Sequence, residues 1–155
     1  VRVLVTGPES SGTRWLTELV STAGAYAVHR SQPEGADWID LEAMADEFDA
    51  TVVVIRGAYA HLASLTERVR PPDPAERRRK ALACIAPILG RTDVHLVTYE
   101  SLGSPVERRH LLAALGLDTS ADVPFDDASA HRYSGQMVPD GWQVTWDGDT
   151  PVLEQ

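Results

Sequence analysis

The chain has 155 residues, 43% of them hydrophobic and 24% charged, which suits a single core and excludes disorder of the whole chain. Lys and Arg number 14 against 23 Asp and Glu, and the net charge of −9 argues against a general electrostatic grip on duplex nucleic acid or anionic lipid. No apolar run approaches the roughly 20 residues that cross a bilayer, nothing reads as a secretory signal, and the single cysteine, Cys84, fits a reducing, cytoplasmic setting.

Short apolar runs alternate with helical stretches. Val1, Val3, Leu4 and Val5 form a strand-like run ending at Thr6-Gly7-Pro8. Trp15, Leu16, Leu19, Val20 and Ala23 then recur at helical spacing and stop at Gly24, which suits the left-handed position after a helix. A second strand is expected at residues 25–28, and residues 39–48 read as a short helix with an acidic face. The β-branched run at 51–55 reads as a central strand buried on both faces of a parallel sheet. A helix is expected over 59–69, ended by Pro71-Pro72, and Asp73-Pro74-Ala75-Glu76 supplies the cap for the next, running toward Pro87. Residues 94–98 read as a strand. Ser104-Pro105-Val106-Glu107 repeats the capping box before a helix with Leu111, Leu112 and Leu115, stopped by Gly116. The pattern is one α/β domain over 1–155, a mostly parallel sheet flanked by helices, with 118–155 largely irregular apart from a hairpin near Asp140-Gly141.

Three segments carry chemistry. Gly7-Pro8-Glu9-Ser10-Ser11-Gly12-Thr13-Arg14 lies between a strand and a helix, where backbone N–H groups and the hydroxyls of Ser10, Ser11 and Thr13 suit a phosphate. Its glycine spacing is that of a P-loop, but the lysine that serves nucleoside triphosphates is missing. Arg56 stands where the buried 51–55 strand leaves the sheet, and Ser64 follows eight residues on. Eight residues of straight helix would part those two by about 12 Å, so a shared ligand requires a turn, which Gly57 permits. The third segment is Leu96-Val97-Thr98-Tyr99-Glu100-Ser101-Leu102, followed by the helix ending Leu115-Gly116-Leu117.

Together these segments resemble the sulfotransferases that use 3′-phosphoadenosine-5′-phosphosulfate (PAPS). Ser11-Gly12-Thr13-Arg14-Trp15-Leu16 is similar to that family's P-loop-like 5′-phosphosulfate segment, Pro-(Arg/Lys)-Ser-Gly-Thr-Thr/Ser-Trp-Leu. Arg56 and Ser64 match the spacing of its 3′-phosphate ligands, and Tyr99-Glu100-Ser101-Leu102 looks like its Tyr-Glu-x-Leu strand end. The resemblance covers residues 1 to about 117. It implies a P-loop NTPase-like sulfotransferase architecture that transfers a sulfuryl group from PAPS to an acceptor hydroxyl or amine, with adenosine 3′,5′-bisphosphate as product. Ser10, Ser11, Gly12, Thr13, Arg14, Arg56, Ser64 and Arg132 are the implied nucleotide ligands, Arg132 through a loose likeness of His131-Arg132-Tyr133-Ser134-Gly135 to the family's late Arg-Lys-Gly loop.

The family's basic residue before Ser-Gly-Thr is Ser10 here, so Arg14, one position beyond Thr13, is the candidate substitute that stabilises the leaving group. His29, after the second strand, is the candidate base, with Glu9, Glu34, Asp37 and Asp40 as lesser ones. Arg77-Arg78-Arg79-Lys80 spread around a helix, so only one or two of them can face a common ligand. Trp38, Trp142 and Trp146 are candidates to line an acceptor or adenine pocket. The expected partner is a small-molecule or glycan acceptor, with no nucleic acid, membrane or metal. Two competitors are a non-catalytic nucleotide-binding module and a P-loop kinase-like phosphotransferase, which needs a β/γ-phosphate cation and usually Mg²⁺.

Overall fold

Two short runs, at 2–8 and 50–55, are buried along nearly their whole length and pair side by side at the centre of a sheet, with a less apolar strand on each outer side. In a computed structural model, which describes residues 1–32 and 40–124 and the backbone of 143–147 and 150–154, the strands of this sheet are β1 (Arg2–Pro8), β2 (Tyr26–Gln32), β3 (Ala50–Ile55) and β4 (Val94–Thr98). All pair in parallel, in the order β2-β1-β3-β4. The helices are α1 (Thr13–Thr22), α2 (Leu41–Ala45), α3 (Ala58–Ser64), α4 (Pro74–Ile85) and α5 (Pro105–Ala114).

The helices cover both faces. On one, Val3, Val5, Val52 and Val54 meet Trp15, Leu16, Leu19 and Val20 of α1 and Leu111 and Leu112 of α5. On the other, Val53 packs with Leu41, Ile85 and Ile88 from α2, α4 and the turn after it. Each such buried aliphatic side chain contributes roughly 1.5–3 kcal/mol relative to exposure. The expected caps form at Asp73 and Ser104, whose side chains accept from Glu76 N and Glu107 N at 3.1 and 3.4 Å. Gly24 takes the left-handed conformation after α1, at φ 106°.

Two expectations need correction. β2 is longer than 25–28: it runs to Gln32 because every residue from Tyr26 pairs in register with β1, and that ladder overrides the polarity of His29-Arg30-Ser31-Gln32. His29 therefore sits within a strand rather than after one. The 59–69 helix is α-helical only to Ser64; Leu65–Val69 is a π-helical turn closed by Arg70 N donating to Leu65 O at 2.8 Å, with Arg70 left-handed before Pro71. The C-terminal segment contains an antiparallel pair, β5 (Gln143–Asp147) with β6 (Thr150–Glu154), while the hairpin expected near Asp140-Gly141 lies outside the described residues.

Gln32 ends β2 fully buried, and neither polar atom of its amide has a hydrogen-bond partner among the described residues. A buried amide left unsatisfied costs more than an apolar side chain of similar length. Gln32→Met is therefore expected to raise stability by about 1–2 kcal/mol in urea unfolding. A drop in the midpoint would show that the amide has a partner in solution.

Candidate functional site

In a parallel sheet ordered 2-1-3-4 the connections after β1 and β3 leave in opposite directions, opening a crevice at the carboxyl ends of those strands. The loop after β1 enters that crevice. Glu9 N donates to Gln32 O at 2.9 Å, tying the loop to the neighbouring strand. Ser10 (φ 63°) and Gly12 (φ 85°) both take left-handed conformations, which turn the chain sharply into α1. Gly12 serves as the N-cap of α1 without a side-chain cap.

Side chains from α3 and α4 hold the loop in place. The Nε2–H of His61 donates to Glu9 O at 2.6 Å, which fixes the ring's tautomer because a carbonyl only accepts. Arg77 of α4 pairs with the Glu9 carboxylate, and Arg56 Nη1 donates to Ser10 O at 3.2 Å. Burial pushes the Glu9 carboxyl up from its ordinary pKa, against the opposing pull of Arg77. Burial likewise lowers the pKa of His61, and the nearby Arg78 and Arg56 lower it further, against its hydrogen bond to Glu9.

The three chemically suggestive segments meet here through the third of them. The Arg56 guanidinium lies over the Tyr99 ring, 4.2 Å from its centroid. The same ring packs against Gly12, where a Cβ would come within 2.8 Å of its Cδ2. Next to it, Glu100 Oε1 accepts from Gly57 N at 2.8 Å, holding the turn that follows Arg56. Tyr99 N in turn donates to Ile55 O at 2.9 Å.

On the loop, at Arg56 and on the helices that follow it, several polar groups are buried with no partner among the described residues: the hydroxyls of Ser11 and Ser64 and the Nε atoms of Arg56, Arg68 and Arg78. Donors without acceptors beside guanidinium groups are what an oxyanion satisfies. The Ser11 and Ser64 hydroxyls are enclosed, so a ligand reaches them only if the loop or α3 shifts.

At the N-terminus of α1, Thr13 Oγ1 and His29 Nε2 lie 2.7 Å apart. Burial, with Arg14 and Arg30 nearby, lowers the pKa of His29 to about 4, so the ring is neutral at pH 7. His29, Ala27, Arg14, Thr17, Glu18 and Ser21 line a groove of about 300 Å³ between α1 and β2. Arg14 thus lies on the groove side of the α1 N-terminus, one residue past Thr13.

Of the predicted ligands, Ser10, Ser11, Gly12, Thr13 and Arg56 come together around the crevice, and Ser64 is buried on α3, one turn past His61. Arg132 lies outside the described residues, as do Glu34, Asp37, Trp38 and Trp142. Asp40 caps α2, accepting from Ala43 N. Trp15 packs in the core and donates Nε1–H to Pro124 O at 2.8 Å. His61, Arg77 and Arg78 are site-forming residues that the sequence reading left out or took for a solvated face. Helical spacing allowed one or two of residues 77–80 to face a ligand, and the structure selects the pair: Arg77 turns to Glu9 of the loop and Arg78 to the Arg56 carbonyl, while Arg79 and Lys80 pair with Glu76 on the exposed side. Among the described residues no group of three or more His, Cys, Asp or Glu could hold a metal ion, and no helix is long and apolar enough to cross a membrane.

No family model and no curated protein sequence matches the chain. Among solved structures it is similar to mouse sulfotransferase SULT7A1 complexed with PAP, at 10% identity and a TM-score of 0.48 over 87% of this chain. The chain spans 63% of the length of that protein. At that distance the likeness bears on neither substrate nor chemistry.

Proposed function

We propose that this chain is a PAPS-dependent sulfotransferase domain whose nucleotide lies in the β1/β3 crevice. One observation carries the reading: Tyr99 touches both Gly12 of the loop and the Arg56 guanidinium, joining the segments that a 5′-phosphosulfate and a 3′-phosphate would each require. The unpartnered Ser11 and Ser64 hydroxyls and the Arg56 Nε fit those two anions. PAPS supplies an activated sulfuryl group when bound. The loop amides, Ser11 and Arg14 would stabilise negative charge on its leaving phosphate, and Arg56 with Ser64 would orient the nucleotide. An acceptor hydroxyl or amine on a small molecule or glycan would receive the sulfuryl group and give up its proton to His29.

A second reading, a nucleotide-binding module without turnover, is favoured by two features. Ser10 occupies the loop position where a cation is wanted, and a base with a pKa of about 4 takes a proton less readily at pH 7 than an ordinary imidazole.

Calorimetric titration separates these readings from each other and from a kinase. Adenosine 3′,5′-bisphosphate is expected to bind more tightly than ATP with Mg²⁺, and Arg56→Ala to weaken it by about ten- to a hundredfold. Preference for ATP with Mg²⁺, or indifference to Arg56, would sink the sulfotransferase reading. Binding of bisphosphate without sulfuryl transfer from PAPS to any acceptor would leave the module.

A further inference from the structure

The four consecutive cations of α4 have different fates. Arg79 makes two hydrogen bonds to Glu76, Lys80 lies within 3.9 Å of the same carboxylate, and Arg77 pairs with Glu9. Arg78 has no carboxylate partner among the described residues. Its Nη2 donates to Arg56 O at 3.3 Å, and its Nε is buried with no partner. Arg56 is in the same condition: a buried, unpartnered Nε, a carbonyl and an aromatic ring as neighbours, and no carboxylate among the described residues.

None of the described acidic groups near this pair makes an ion pair with it. Glu9 is held by Arg77, Glu76 by Arg79 and Lys80, and Glu100 by Gly57 N. In a chain with 23 acidic residues, two half-buried arginines stand out, one donating to the other's backbone carbonyl and neither with a carboxylate partner among the described residues. Like charges in a partly desolvated site repel, and each has lost part of its hydration. A doubly charged oxyanion between them relieves both costs, and the planar donor fork of arginine suits its oxygens. Electrostatic coupling of both guanidinium groups to the single His61 ring is consistent with that shared locality.

We propose that Arg78 is a second guanidinium ligand for the phosphate held by Arg56, delivered from α4 across the crevice. Which phosphate this is, that of a 3′-phosphorylated nucleotide, rests on the functional reading above; that Arg56 and Arg78 form one phosphate site does not.

The test measures binding of adenosine 3′,5′-bisphosphate, adenosine 5′-monophosphate and inorganic phosphate to the wild type and to Arg78→Ala, Arg78→Gln and Arg79→Ala. Urea unfolding of each variant identifies any that fails to fold, and Arg78→Gln keeps a donor toward Arg56 O if the alanine does not. Expected is a loss of about ten- to a hundredfold in bisphosphate affinity on losing the Arg78 charge, with the 5′-monophosphate changed less than threefold and Arg79→Ala like wild type. Bisphosphate binding that a folded Arg78→Gln leaves intact overturns the proposal while the nucleotide reading survives. If the wild type binds inorganic phosphate, loses it in both Arg78 variants, and shows no preference for the bisphosphate, the double-arginine site stands and the nucleotide reading falls. An equal loss for bisphosphate and monophosphate also overturns the proposal, because Arg78 would then act on the whole loop.

Discussion

Gly7→Ala is expected to cost the fold at least about 3 kcal/mol, and to leave little folded protein if the domain is of ordinary stability. A Cβ at Gly7 would lie 2.3 Å from the carbonyl oxygen of Val54 and 3.1 Å from the Thr13 methyl. The obstacle is backbone on the central strand, so it cannot swing away as a side chain would; β1 and β3 must part just where their divergence opens the crevice. Gly90→Ala serves as the control, since nothing lies within 4 Å of its added methyl. Urea unfolding followed by circular dichroism reads the difference, and a Gly7→Ala midpoint within error of Gly90→Ala would refute the close approach. Gly12→Ala should behave differently. Its cost combines the left-handed backbone, about 1–2 kcal/mol, with displacement of the Tyr99 ring, so loss of Arg56-dependent ligand binding should exceed the loss of stability.

The second large effect is on acid stability. His29 has a folded pKa of about 4 against an ordinary 6.5, so between those values the unfolded chain binds more protons than the folded one. Stability from keeping the ring neutral is fully present above pH 6.5 and is lost as pH falls toward 4. Linkage puts the loss between pH 7.5 and pH 5 at about 2 kcal/mol. His61 is shifted in the same direction and adds to it. Glu9, whose carboxyl is pushed up, acts in the opposite sense, favouring the folded state as it gains its proton. Comparing wild type with His29→Gln isolates the one ring: the mutant should lose less stability over that interval, and the wild-type His29 ring proton should titrate well below pH 6 by NMR. Parallel stability profiles for the two proteins would show that His29 is protonated as readily in the fold as in the open chain.

Most of the α/β framework was legible because its signals are local. The β-branched run at 51–55 could bury itself only inside a sheet, Asp73 and Ser104 announce helix starts through their own side chains, and Gly24 sits where a left-handed residue is wanted. The phosphate-loop pattern, the arginine at the end of β3 and Tyr99-Glu100 were equally visible, since each is a short motif at a strand's end. What that reading could not reach was how they touch. Glu100 finds Gly57 across 43 residues and His61 finds Glu9 across 52, and no spacing rule links such positions. β2 was read as too short because its last residues are polar, and polarity yields when seven residues pair in register with β1.

The sequence by itself determined the alternation of strands and helices, the places where strands end in glycine, arginine or tyrosine, and the absence of the P-loop lysine. Only the tertiary structure decided that Tyr99 would bridge loop and arginine, that His29 would be buried against Thr13 and stay neutral, and that Arg78 rather than Arg79 would stand beside Arg56. The physical reason is the same in each case: capping, periodicity and backbone conformation act within a few residues, whereas burial, charge pairing and proton affinity depend on which distant groups the packed sheet brings into contact.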